Sequence, residues 1–273
     1  MPTPSPTTLA QARYSRLTYN APLSPTHADA LLSHLHLTAH NHIVDLGCGW
    51  GTLLLRAASR CHSTSNSNTR PEHTNDAPTW TATGVDTDPA ALERGRRDAA
   101  AAVAVGALSP DRVSFVEMPA GEWRPGTSAS SGVDRVICVG SSHALGGSRA
   151  MLARLAELVA AGCGGRALVG EMCWERAPTE VAREMFGEEV PMLGDLVALC
   201  RETGWEVLHL STADQWEWDD FESRHRAGTR EWLLANPDDP RVQEVRERED
   251  KRERDYLTGY RGVLGFVYLV LGR

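Results

Sequence analysis

The sequence has no uninterrupted run of about 18 apolar residues, the length a helix needs to cross a bilayer, so no transmembrane helix is expected. It also has no Cys-x-x-Cys pair. Its six cysteines, Cys48, Cys61, Cys138, Cys163, Cys173 and Cys200, are scattered, several in segments that read as strands, where buried free thiols are common. Such usage fits a reducing cytosol rather than a disulfide framework, and a cytoplasmic protein is expected. Met1 to Pro6 lacks the basic start and apolar centre of a secretory signal, and residues 1–9 read as a disordered tail. Positive charge is in deficit. The formal net charge is −8, and no basic face suited to a nucleic-acid backbone is evident. The arginines of 241–254 are interleaved with Glu and Asp and read as a salt-bridged helix surface. No metal constellation stands out, because His34, His36, His40 and His42 straddle a helix end and a strand start and read as solvated. Internal repeats are absent, and neither a membrane nor a nucleic acid is expected as partner.

What the chain does have is 273 residues, 41% of them hydrophobic, enough for one elaborated α/β domain or at most two small ones. Its most informative stretch runs from Asp45 through Gly47, Cys48, Gly49, Trp50 and Gly51. It follows the apolar Ile43 and Val44 and precedes a helical pattern from Thr52, so it reads as strand, glycine turn and helix start. Alternate glycines open backbone angles closed to other residues and let a ligand approach the main chain. A dinucleotide loop needs Gly-x-Gly-x-x-Gly. Here Thr52 holds the third position and the third glycine comes one residue early, at Gly51. A carboxylate at Asp45 would repel a pyrophosphate but suits a cationic ammonium or sulfonium. The alternative is a tight turn with no ligand.

A second acid, Asp86, ends the apolar run 82–86, and the adjoining Thr87 shares its place. Asp88 and Pro89 then mark a helix start, as N-cap and first helical residue. An acid ending the second strand of a nucleotide-binding unit accepts from ribose hydroxyls. The long spacing from the glycine turn is explained by 61–79, rich in Ser, Thr, Asn, His and Pro, which reads as a surface insertion.

Strands are expected over 42–46, 82–86, 112–117, 134–139 and 167–171, and helices over 26–35, 52–59, 90–105, 148–161 and 192–203. This alternation implies a mostly parallel sheet covered on both faces. The glycines of 162–165 close one helix and turn into the fifth strand. Residues 205–210 read as a sixth strand and 263–271 as a seventh. Between them, helical patterns over 219–234 and 238–260 make 211–262 a helical cap for substrate, with residues 10–40 as an N-terminal lid and 41–210 as the core.

Asp45 with Gly47, Gly49 and Gly51 after a strand resembles motif I of the class I S-adenosylmethionine-dependent methyltransferases. The resemblance covers 41–170 with strong motifs and the last strands less specifically. It implies an α/β, Rossmann-like, doubly wound sheet of seven strands, mostly parallel with an antiparallel last strand. It implies S-adenosyl-L-methionine as cofactor and S-adenosyl-L-homocysteine as product, with Asp45 facing the cofactor's amino group. Many members carry Asp where this chain has Pro119, which cannot accept from the adenine amino group, so Met118 is expected to pack on the adenine face beside Pro119. Gly140 to Gly147 corresponds to motif IV and lacks the Asn/Asp-Pro-Pro-Tyr/Phe of base-modifying members, which argues against nucleic-acid bases as substrate. An N-terminal tyrosine often reaches the cofactor in this family, and Tyr19 is better placed for it than Tyr14. The layout resembles small-molecule methyltransferases of microbial and fungal secondary metabolism.

Gly140 lets the main chain pass close to the cofactor, Ser142 and His143 follow it, and His143 is the best acid–base candidate because an imidazole titrates near neutral pH. A loop-bonding histidine is the alternative. Glu171, at the end of the fifth strand, is the second catalytic candidate and, like His143, a substrate contact; Trp174 follows it. In the cap, Trp216 and Trp218 mix with carboxylates that tilt the acceptor toward an amine, or else anchor the cap. Tyr14, Tyr260 and Arg261 complete the substrate candidates. The expected activity is methyl transfer to a nitrogen or oxygen of a small molecule. An NAD-dependent oxidoreductase and a non-catalytic cofactor-binding partner subunit are the rivals.

Overall fold

A computed structural model describes residues 8–66, 77–126, 133–159, 164–187 and 189–273. Seven strands, β1 (His42–Leu46), β2 (Thr81–Asp86), β3 (Val113–Glu117), β4 (Arg135–Val139), β5 (Arg166–Trp174), β6 (Glu206–Thr212) and β7 (Leu264–Gly272), form one sheet in the order β3-β2-β1-β4-β5-β7-β6. Six run parallel and the last antiparallel, with helices around them. The register pairs Asp45 of β1 with Gly84 of β2 and Ile137 of β4, and Val139 of β4 with Gly170 of β5. The carboxyl ends of four strands therefore share one edge of the sheet. β7 is buried along its whole length, which its apolar run from Leu264 to Leu271 dictates for a strand with neighbours on both sides.

The helices are α1 (Leu9–Arg13), α2 (Pro25–His34), α3 (Thr52–Asn66), α4 (Pro89–Ala104), α5 (Ser148–Leu158), α6 (Glu180–Phe186), α7 (Leu193–Glu202), α8 (Gln215–Ala235) and α9 (Val242–Arg254). α4 starts as its sequence demands: the Asp88 side chain accepts from the amides of Ala90 and Ala91, with Pro89 in the first turn. α8 starts with a capping box between Asp214 and Glu217, so it begins four residues before the expected 219.

Several expectations are corrected. Of the tail expected over 1–9, Thr8 and Leu9 are instead the cap and the first residue of a helix, and residues 1–7 lie outside the described part. α3 runs on to Asn66 and buries Cys61 fully, so the stretch read as an insertion starts as helix; residues 67–76 lie outside the described part. Gly162 and Cys163 of the glycine turn at 162–165 also fall outside it. β5 extends three residues past Glu171, where the amide of Trp174 donates to the Pro191 carbonyl at 2.8 Å. The helix expected over 238–260 is α9 followed by a π-helical turn, Asp255–Tyr260.

The chain divides into two compact units. The sheet unit holds Pro25–Glu171, Gly194–Ser211 and Val267–Arg273; the helical unit holds Met1–Ser24, Met172–Leu193 and Thr212–Phe266. The segment read as one lid over 10–40 is thus split, with α2 in the sheet unit. In the helical unit, Ala12, Trp232, Leu233 and Val245 form a buried apolar cluster that Leu9 and Val242 flank.

Candidate functional site

The glycine turn sits at the shared carboxyl edge of the sheet unit. The amides of Gly47 and Cys48 donate to the Val85 carbonyl at 2.8 and 3.0 Å, which folds the turn back over β2. Gly47, Gly49 and Gly51 have φ of 75°, 53° and 69°, the left-handed region where a side chain is strained. A Cβ on Gly47 would collide with the Ser141 side chain, and one on Gly51 would lie 2.5 Å from the Phe115 ring. At Gly49 a Cβ would meet nothing within 4 Å. The turn is closed against protein at its two ends and open at its middle.

Two carboxylates flank this opening, in different states. Asp86 is a clasp: its Oδ1 accepts from the amides of Thr87 and Asp88 at 2.8 and 3.0 Å, and its Oδ2 accepts from the Gly49 amide at 2.7 Å. A carboxylate offers about four acceptor directions, so one remains, on Oδ2. This corrects the expectation of a carboxylate free to take two hydroxyls at once. Asp45 is the opposite case. It is 4% exposed, and no hydrogen-bond donor or cation reaches its carboxylate among the described residues. Burial, and then the charge of Asp86, pushes its pKa up to about 8. The same pressure acts nearby: the Cys138 thiol is raised by burial and by the charges of Asp45 and Glu171, and the Cys48 thiol by burial and by Asp45 and Asp86. Both thiols therefore stay protonated near neutral pH.

The remaining core candidates gather at this edge. The Met118 amide donates to the Asp86 carbonyl at 3.0 Å, and the Pro119 carbonyl accepts from Glu122, so both sit on the turn after β3. The Gly140 amide donates to the Gly170 carbonyl at 2.8 Å with φ 71°. Ser142 and His143 lie on a short 3-10 turn, Ser142–Leu145, directly after β4, with the His143 ring exposed. Glu171 is buried, and the Ser148 hydroxyl donates to its Oε2 at 3.4 Å.

Three supports were not singled out from the sequence. The Ser141 hydroxyl donates to the Gly47 carbonyl at 3.2 Å and so ties the β4 loop to the glycine turn. Phe115 packs where Gly51, Gly84 and Gly95 leave room; a Cβ at any of them would lie within 2.9 Å of its ring. Gly84 inside a strand was the readable signal, since such a glycine marks close approach. Arg94 lies over the Trp50 ring at 4.3 Å, holding the turn's one aromatic in place.

The other candidates belong to the helical unit. Tyr19 and Trp174 are buried, and Trp174 meets Phe186 edge-on at 6.1 Å. Tyr14 meets His225 at 5.7 Å. Trp218 is buried against Phe221 and Tyr260 at 6.2 Å each, whereas Trp216, two positions earlier and so on another face of α8, is 63% exposed. The acids expected to attract an amine are already paired. Glu222, 1% exposed, accepts from Arg252 at 2.9 and 2.8 Å and from the Tyr260 hydroxyl at 2.9 Å. Asp219 accepts from Arg261 at 2.9 and 2.8 Å and from Tyr256 at 2.6 Å. Glu217 accepts from the Ser24 and Asp214 amides. Their charge is spent inside the unit, and the tilt toward an amine loses its basis. The π-helical turn brings Tyr256 onto Asp219 and Tyr260 onto Glu222 of α8, a placement that no local pattern announced.

Comparison with known proteins was made on this geometry. No family model matches the chain. An uncharacterized protein of Escherichia coli K12, YjhP, is 31% identical over 169 residues, 60% of this chain and 66%, just under two thirds, of that protein. The crystal structure of YjhP superposes with a TM-score of 0.77 at 25% identity over 97% of this chain and 99% of that one. S-adenosylmethionine-dependent methyltransferases of Thiobacillus denitrificans and Geobacter sulfurreducens, both crystallised with S-adenosyl-L-homocysteine, superpose with TM-scores of 0.78 at 26% identity. They cover 98% and 99% of this chain and the whole of each relative.

Proposed function

We propose that the chain is a class I S-adenosylmethionine-dependent methyltransferase and that it transfers a methyl group from S-adenosylmethionine to a nitrogen or oxygen of a small molecule. One observation supports the cofactor assignment above the others: the buried Asp45 carboxylate has no cation of its own and lies beside a turn whose middle is open. Burial without a partner keeps this carboxyl protonated up to about pH 8, and the cofactor's ammonium group is the kind of cation that would let it ionise.

Bound there, the cofactor supplies an activated methyl group on a sulfonium, so the protein needs to bring alignment and dryness more than chemical activation. Asp45 holds the ammonium group in ionised form. Asp86 lends its remaining Oδ2 direction to a ribose hydroxyl while its other contacts fix the turn. Gly47, Cys48, Gly49, Gly51 and Thr87 present main chain, Met118 and Pro119 flank the adenine, Gly140 gives close passage, and Tyr19 completes the cofactor set. His143 takes the proton that an O–H or N–H acceptor must lose. Glu171, buried at the strand edge, orients the acceptor or that proton. Ser142, Tyr14, Trp174, Trp216, Trp218, Tyr260 and Arg261 are the proposed acceptor contacts, with Trp218 favoured over the exposed Trp216.

Calorimetric titration with S-adenosylhomocysteine and, separately, with NAD tests the cofactor; the first should bind and the second should not. Transfer of an isotopically labelled methyl group to a panel of amines, phenols and carboxylic acids then tests the reaction. Tight NAD binding without a response to S-adenosylhomocysteine would overturn the proposal. Cofactor binding with no transfer to any acceptor class would favour a partner subunit that has kept the fold without the chemistry.

A further inference from the structure

Between α2 and α3, wholly within the sheet unit, lies a groove of about 500 Å³ that shares no residue with the glycine turn. Its volume falls in the range of small-molecule sites, roughly 300–1,000 Å³. Asp29 accepts from Arg56 Nε and Nη2 at 2.8 and 2.5 Å and from Arg60 Nη2 at 2.8 Å. Two guanidiniums thus converge on one carboxylate, which leaves a cationic charge in excess on the wall of a chain whose net charge is −8. About a third of each arginine side chain stays exposed. The Nε and Nη1 donors of Arg60 and the Ser59 hydroxyl have no acceptor among the described residues.

A second observation comes from the backbone. His36 lines the same groove with φ 50°, the left-handed region where glycine is unstrained and an imidazole-bearing residue is not. Glycine is the commoner residue at such a helix end, so the turn itself does not require the imidazole. Leu37, half-buried, gives the groove an apolar part.

We propose that the α2–α3 groove binds a small organic oxyanion, its charged end on Arg56, Arg60 and His36 and its body against Leu37. A planar guanidinium fork suits a phosphate or carboxylate, and Asp29 occupies in the free protein part of the donor set that the ligand would claim.

Calorimetry on the full chain, with phenyl phosphate and inorganic phosphate as probes, tests this. Saturable binding is expected for the wild type. Tighter binding of phenyl phosphate identifies an organic ester, and tighter binding of inorganic phosphate a free ion. Arg60→Gln should weaken binding about tenfold or more. Asp29→Asn should strengthen it by freeing both forks, although it removes an ion pair from the fold. His36→Gly should raise the melting temperature by relieving strain while weakening binding, a pair of opposite signs that a purely structural residue would not give. All three variants should bind S-adenosylhomocysteine like the wild type. Absence of saturable heat with both probes, or equal affinities across wild type and the three variants, overturns the proposal.

Discussion

The two units handle buried carboxylates in opposite ways. In the helical unit Glu222 is almost fully buried and fully partnered, with a guanidinium on two sides of its charge and a phenol on a third. In the sheet unit Asp45 is nearly as buried and has nothing. A saturated charge belongs to the architecture. A buried carboxyl left without a partner among the described residues, at a turn whose glycines hold the main chain open, marks where the architecture expects something from outside. The contrast also separates two groups of acids that look alike in the sequence.

The sharpest way to break that contrast is Glu222→Ala. Removing its carboxylate strands the half-buried Arg252 and the Tyr260 hydroxyl and should cost about 1–3 kcal/mol, read as a lower denaturation midpoint, while the folded fraction binds S-adenosylhomocysteine normally. A loss of cofactor affinity without loss of stability would place Glu222 in the site instead. His143→Ala should lower kcat about a hundredfold and barely change cofactor affinity, if it removes the acceptor's proton. Equal loss of both would make it a structural residue. Asp86→Ala should weaken S-adenosylhomocysteine binding by about 1–3 kcal/mol, since it removes a ribose acceptor and releases the Gly49 amide.

Asp45 yields a pH signature. Its folded pKa, about 8, lies above the ordinary carboxylate value of 3.8. Between those values the folded chain keeps a proton that the unfolded chain gives up. The stability of the free protein should therefore fall as pH rises through that window, and Asp45→Asn should flatten the fall. Below about pH 8, cofactor binding should release a proton and tighten as pH rises. Titration in buffers of different ionisation enthalpy measures that proton, and a release of zero would mean that Asp45 is already ionised or is not the ammonium partner. The smallest effect is expected from Trp216→Ala, within about 0.5 kcal/mol in stability, because most of its ring is in water.

The sheet edge was legible because its signals are local. A positive-φ glycine, an N-cap aspartate and an alternating apolar run each declare themselves within a few residues, and Asp45, Gly47, Gly49, Gly51, Asp86 and Asp88 could be picked out in that way. What a carboxylate meets was not legible. Asp45 and Glu222 differ by partners lying far along the chain, Arg252 being 30 residues from Glu222. The same holds for α6, for the π-helical turn and for the extra length of β5, which are set by distant pairing rather than by propensity. Phe115 escaped notice because its role depends on three glycines from three separate elements.

One feature of the sheet bears on how the chain assembles. β6 has β7 as its sole sheet neighbour, yet Thr212 and Leu264 are separated by the entire α8–α9 segment. At about 5–20 residues per second of synthesis, β6 would emerge roughly 3–10 seconds before its mate exists. Throughout that interval it is an open template, with Leu208 and Leu210 wet even in the finished fold. Shortening the wait, by faster decoding of the intervening codons, should raise soluble yield without touching a single contact of the native state.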